Sequence, residues 1–173
     1  FIDEAGVVVG EQRMPESDLE IRWTILFYCP FYHSSVAFRR RYFEQAGGYR
    51  PHELVSQDHY LWHDMLPFCR ARNLAAPLAR YRLNPRGLVA AHSQNSRART
   101  HAIREDRWKR IGLTYDIYDE RFGLEITRFL NGGELAPTVR TDAYRVVLRA
   151  LRAFLDAAQP VDRDDLQAAR RLS

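Results

Sequence analysis

The chain has 173 residues, 46% of them apolar, and a formal net charge of +4. That size and apolar content support one core, or one core with an appendage, and exclude global disorder. No apolar run can span a bilayer, since the best stretch, residues 23–32, is short and broken by Cys29 and Pro30.

The positive charge is almost entirely arginine, with Lys109 the only lysine. Guanidinium suits phosphate and carboxylate partners. The arginines are interleaved with acids along the whole chain, and this argues against a nucleic-acid stripe. Cys29 and Cys69 have neither framework density nor metal-ligand spacing, and they read as free thiols in a reducing compartment. No signal peptide is visible. The sequence starts "FIDEAG" without Met, so a fragment with an upstream start is the expectation.

In chain order, "FIDEAGVVVGEQR" predicts two short strands around a turn. Residues 17–27, "SDLEIRWTILF", predict a helix capped by Ser17, with Leu19, Trp23, Leu26 and Phe27 at helical spacing. Pro30 ends it. "HSSVAFR" predicts a strand, and "RRYFEQAG" a short helix with Gly47 just past its end. "SQDHYLWHDMLPFCRARN" predicts a helix capped at Ser56, with Leu61, Met65, Phe68 and Cys69 inward and a kink or stop at Pro67. "APLARYRLN" predicts a last strand, followed by a loop over 85–97.

From about Arg97 the texture becomes charged and helical, with Ile103, Trp108, Ile111 and Tyr115 as core candidates. After a loop at 131–137, residues 141–159 predict an amphipathic helix stopped by Pro160, and 161–173 a short or fraying one.

The ordered set "IDEAG", "CPFYHSSVAFRRRYFEQAGGYR", "SQDHYLW" and "LARYRLN" resembles the C-terminal half of a family 2 glycosyltransferase over about residues 1–95. The resemblance implies an α/β fold, namely part of a GT-A (nucleotide-diphospho-sugar transferase-like) domain with a mixed sheet and flanking helices. Residues 1–95 would belong to that domain and 96–173 to an all-helical extension. It implies inverting transfer of a sugar from a nucleotide-diphosphate donor to a hydroxyl acceptor: a saccharide, a lipid-linked or a protein-linked glycan.

Asp58 would be the general base, since a carboxylate at a helix N-terminus can be held rigid and ionised beside the attacking hydroxyl. A capping role alone is its plain alternative. His33, Ser34, Ser35, Gly48, Tyr49, Gln57 and Arg82 would line the substrate site. The sequence departs from the family with Gln57 in place of Glu, Asn84 in place of His and Asp64 in place of Arg.

A divalent metal, Mg or Mn, is implied for the complete enzyme. Its Asp-x-Asp ligands would lie outside this chain, since "DRDD" near Asp162 falls in the wrong element, and the fragment alone would be inactive. The implied setting is bacterial and cytoplasmic, with peripheral attachment to the inner membrane face as a variant.

Two rival readings concern other classes of function. His59 and His63 stand at zinc-helix spacing, but no third ligand is set by spacing, and packed histidines are the simpler reading. The helices beyond Arg97 could instead form a non-catalytic interaction module, giving a homodimer through the helical tail.

Overall fold

A computed structural model describes residues 1–53, 56–84, 93–113 and 140–157. They form five helices: α1 (Asp18–Thr24), α2 (Arg40–Gln45), α3 (Gln57–Met65), α4 (Ser93–Arg110) and α5 (Arg140–Ala157). A single 3-10 turn, His33–Ser35, lies between α1 and α2.

Helix α1 starts where the sequence dictates. Ser17 Oγ accepts the Glu20 amide at 3.2 Å, and Glu20 Oε2 accepts the Ser17 amide at 3.1 Å, closing a capping box. Its two faces feed two cores. Leu19 and Trp23, with Leu26 and Phe27 beyond the helix end, pack on Trp108 of α4 and on Val146, Ala150 and Phe154 of α5. Ile21 and Ile25 pack on Leu61, Trp62, Met65 and Leu66 of α3 and its C-terminal turn. A helix apolar on both sides becomes the central element, because each side removes apolar area from water.

The first core is aromatic. The rings of Trp23 and Phe154 lie 5.5 Å apart, and those of Phe27 and Trp108 5.9 Å apart and nearly perpendicular. Trp108 Nε1 donates to Leu26 O at 3.1 Å, so its one polar atom is satisfied. Val146, Ala150 and Phe154 repeat every four residues along α5, and this stripe meets α1 within the chain.

Helix α2 ends as its glycines require. Gly48 donates to Phe43 O at 2.9 Å and Gly47 to Glu44 O at 3.1 Å, with Gly47 at φ 84°. This is a Schellman ending, open to glycine because the left-handed region carries no Cβ penalty there. Helix α3 stops at Leu66, one residue before Pro67. Leu61 and Met65 face inward as expected and Cys69 is half-buried, but Phe68 is exposed. Ser56 is the residue before α3, yet it sits at φ 62° and makes no side-chain capping bond.

The α/β mixed sheet is overturned. Helix accounts for 44% and strand for 3% of the described chain. Among the described residues pairing is limited to two isolated bridges, Ile2 with Val8 (antiparallel) and Ile2 with Arg82 (parallel). Alternation encodes a face, not a partner. "HSSVAFR" fails as a strand for a local reason. Ser35 donates through both its amide and its Oγ to Tyr32 O, at 2.9 and 2.8 Å, and closes a turn instead.

In the helical part, Ile103 and Trp108 are buried and Ile111 half-buried. Tyr115, the loop at 131–137, most of the loop over 85–97, Asp162 and the helix over 161–173 lie outside the described residues. No described helix is long and apolar enough to cross a membrane.

Candidate functional site

Asp58 is half-buried in the first turn of α3, one turn before Trp62 on the same face. Its Oδ1 accepts the His59 amide at 2.9 Å. Its Oδ2 accepts no hydrogen bond among the described residues and is not wholly buried. One oxygen is therefore pinned by the helix end while the other is free to take a proton.

Tyr49 and His33 stand beside it. The Tyr49 hydroxyl lies 2.7 Å from His33 Nε2. Burial, then the Asp58 carboxylate, hold the Tyr49 phenol above its ordinary value. The phenol thus keeps its proton, and the His33 tautomer sets which of the two groups donates in this bond. The His33 ring packs edge-on to Trp62 at 6.0 Å, and the Tyr49 ring edge-on to Phe43 at 5.4 Å. Gly48 permits this closeness, since its φ is 73° and a Cβ there would meet Phe43 at 3.1 Å.

The remaining expected residues divide. Ser34 and Ser35 are exposed and border a large groove, while Gln57 is exposed at the start of α3. Arg82 is committed to structure, because its NH1 donates to Asp3 O and Glu4 O, both at 2.8 Å, and holds the N-terminal turn against the extended segment near residue 82. Asp64, which replaces an Arg of the family pattern, receives two hydrogen bonds from Arg50, at 2.7 and 3.2 Å.

The groove has a volume of about 1120 Å³. Trp62 and Met65 form its floor; residues 10–14, 34–39 and 69–81 form its walls. Asp58, His33 and Tyr49 are not part of its lining, so the Asp58 cluster and the groove are neighbours that share Trp62.

Sequence reasoning missed a buried polar seam between α3 and α4. His59, His63 and Arg107 are all buried. Arg107 NH1 donates to Ile25 O. His63 Nδ1 lies 3.1 Å from Asp64 Oδ1, whereas Nε2 lies 2.8 Å from Asp106 Oδ2 without hydrogen-bond geometry. That arrangement fits a neutral ring with its proton on Nδ1. Burial, then Arg107, pull the His63 imidazole down to about 4. Burial, Arg107, Arg104 and His63 push His59 well below its ordinary value. The signal for this seam was the i, i+4 histidine pair, and its meaning lay in a partner helix more than 40 residues away.

No trio of His, Cys, Asp or Glu able to hold a metal occurs among the described residues. His59 and His63 face the arginines of α4, a setting opposed to a cation. The two histidines of α3 are therefore not a metal pair, and the resemblance places the ligands of its divalent metal outside this chain. Both cysteines are free thiols, and burial pushes Cys29 up to about 12, which makes it a poor nucleophile. Comparison with models of protein families, with curated proteins and with solved structures finds no match to this chain.

Proposed function

We propose that this chain carries the acceptor side of an inverting glycosyl transfer, with a nucleotide-diphosphate sugar as donor and an alcohol as acceptor. The observation that carries the reading is the divided Asp58 carboxylate, with Oδ1 tied to the His59 amide and Oδ2, beside the His33–Tyr49 pair, accepting no hydrogen bond among the described residues.

In the reaction, the acceptor oxygen attacks the anomeric carbon from the face opposite the leaving diphosphate. Asp58 Oδ2 takes the hydroxyl proton as the new C–O bond forms and the old one breaks. A base held within hydrogen-bond reach contributes about 10²–10⁴-fold to such a step. Tyr49 and His33, linked to each other, offer hydroxyl and ring N–H groups to sugar hydroxyls, and the Trp62 and Phe43 rings fix their positions. The local motifs "HSSVAFRRRYFEQAGGYR" and "SQDHYLW" support the reading, which no longer draws on a sheet.

The test is sugar transfer from a panel of nucleotide-diphosphate sugars to saccharide and lipid-linked alcohols, read by mass spectrometry, for the full-length natural protein that carries this chain and for its Asp58→Asn variant. Transfer by the wild type and a loss of about 10²–10⁴-fold in the variant, at unchanged melting temperature, is the expected result. Wild-type turnover in Asp58→Asn removes Asp58 from the role. No transfer across the whole panel by the wild type removes the activity.

A further inference from the structure

The groove beside Trp62 has the features of a receptor for extended polypeptide. Its volume of about 1120 Å³ exceeds the roughly 300–1,000 Å³ of small-molecule pockets. Its walls include backbone outside any helix at residues 11–14, 37–38 and 74–80, with a bend at 75–76, and in none of these stretches does the main chain form a backbone–backbone hydrogen bond among the described residues. Main-chain N–H and C=O groups in such a setting call for a partner.

The side chains on that backbone are as unusual. Leu74 is 71% and Leu78 74% exposed, one on each side of the bend, where a large apolar residue gains nothing from water. The buried Trp62 adds an indole Nε1 with no acceptor. The chain beside the groove already pairs in the same way. Ile2 N donates to Tyr81 O, and Leu83 N to Ile2 O, both at 2.9 Å, so residues 81–83 act as a strand edge one step further along.

Charge narrows the occupant. Five arginines and two glutamates line the groove, and of these Arg39 and Arg80 have no side-chain partner among the described residues. An incoming chain with acidic side chains between its apolar ones would satisfy both the leucines and the arginines.

We propose that the groove binds an extended segment of a partner polypeptide that alternates apolar and acidic residues, added as a strand along residues 77–80. Pro77 lacks an N–H, and Tyr81 and Leu83 turn their main-chain groups to Ile2, so pairing falls to the amides of Leu78 and Arg80 on the opposite edge. This inference stands apart from the transfer reading, because none of its residues is Asp58, His33 or Tyr49.

The experiment titrates the full chain with two synthetic twelve-residue peptides, one alternating Val and Glu, the other Val and Lys. Binding is read by fluorescence anisotropy and amide hydrogen exchange. The Val–Glu peptide should bind at least about tenfold more tightly, and Arg39→Glu with Arg80→Glu should reverse that preference. On binding, the amides of residues 78 and 80 should gain protection. Equal affinity for the two peptides, or binding without protection at 77–80, overturns the proposal. So does protection of the same amides by the chain alone at rising concentration, which would make the occupant a second copy. Protection by a free nucleotide-diphosphate sugar would make the groove a small-molecule site and overturn it likewise.

Discussion

The helices around α1 and the extended segments around the groove are built from similarly apolar sequence and end in opposite states. In the helical part each apolar face meets another: Ile21 and Phe27 are fully buried, and even Trp108 has its ring nitrogen satisfied. In the extended part, Val7, Val8, Leu74 and Leu78 are all more than half exposed. The difference is one of how each element meets its hydrogen-bonding needs. A helix closes its main-chain bonds within itself and needs only side-chain partners. A segment outside helices turns its main-chain groups to a neighbour or to water, and residues 74–80 have no backbone neighbour among the described residues.

That contrast should appear most strongly in core truncations. Trp108→Ala removes a fully buried ring and its bond to Leu26 O, and should cost about 3–5 kcal/mol in urea unfolding. Leu78→Ser, the same kind of change on the exposed wall, should stay within about 0.5 kcal/mol. Comparable losses at the two sites would erase the distinction between the regions.

Acid should loosen the helical part next. His63 is held neutral with its imidazole at about 4, against an ordinary value of 6.5, and His59 is pushed in the same direction. A depressed value means that the unfolded chain binds protons first. Stability is therefore full above about pH 6.5 and falls as pH drops toward about 4, by about 3 kcal/mol for His63. Urea midpoints measured across that window should show the slope, and His59→Leu with His63→Gln should flatten it. A profile unchanged in the double variant would remove the seam from acid sensitivity.

A smaller effect sharpens the local part of the account. Ser17→Ala opens the capping box of α1 and should cost about 1 kcal/mol. Ser56→Ala should cost less, because Ser56 makes no side-chain capping bond to α3. Thermal melts of the two variants compare them directly, and the reverse order would contradict the capping assignment.

The same division explains what the sequence disclosed. Signals complete within four to six residues were legible: the Ser17–Glu20 box, the Gly47–Gly48 ending of α2, the stop before Pro67 and the four-residue stripe of α5. The position of Asp58 in a first helical turn was legible for the same reason. Signals that depend on a distant partner were not. "HSSVAFR" reads as a strand by alternation, yet Ser35 bonding back to Tyr32 wins when no neighbouring strand competes. Arg82 reads as a substrate residue by position, but two backbone carbonyls 78 and 79 residues away claim it. The His59–His63 pair reads as packed histidines, and both are buried, but its partners, Arg104 and Arg107 across the α3–α4 seam, were not legible.

Amide hydrogen exchange on the isolated chain tests the division between a closed core and an unpartnered wall most directly. Amides in the last turn of α1 and in α3 should be protected by several kcal/mol, at the order of the global unfolding free energy, while those of residues 74–80 should exchange near unprotected rates. Protection at 74–80 equal to that of the helices, in the chain alone, would contradict the account.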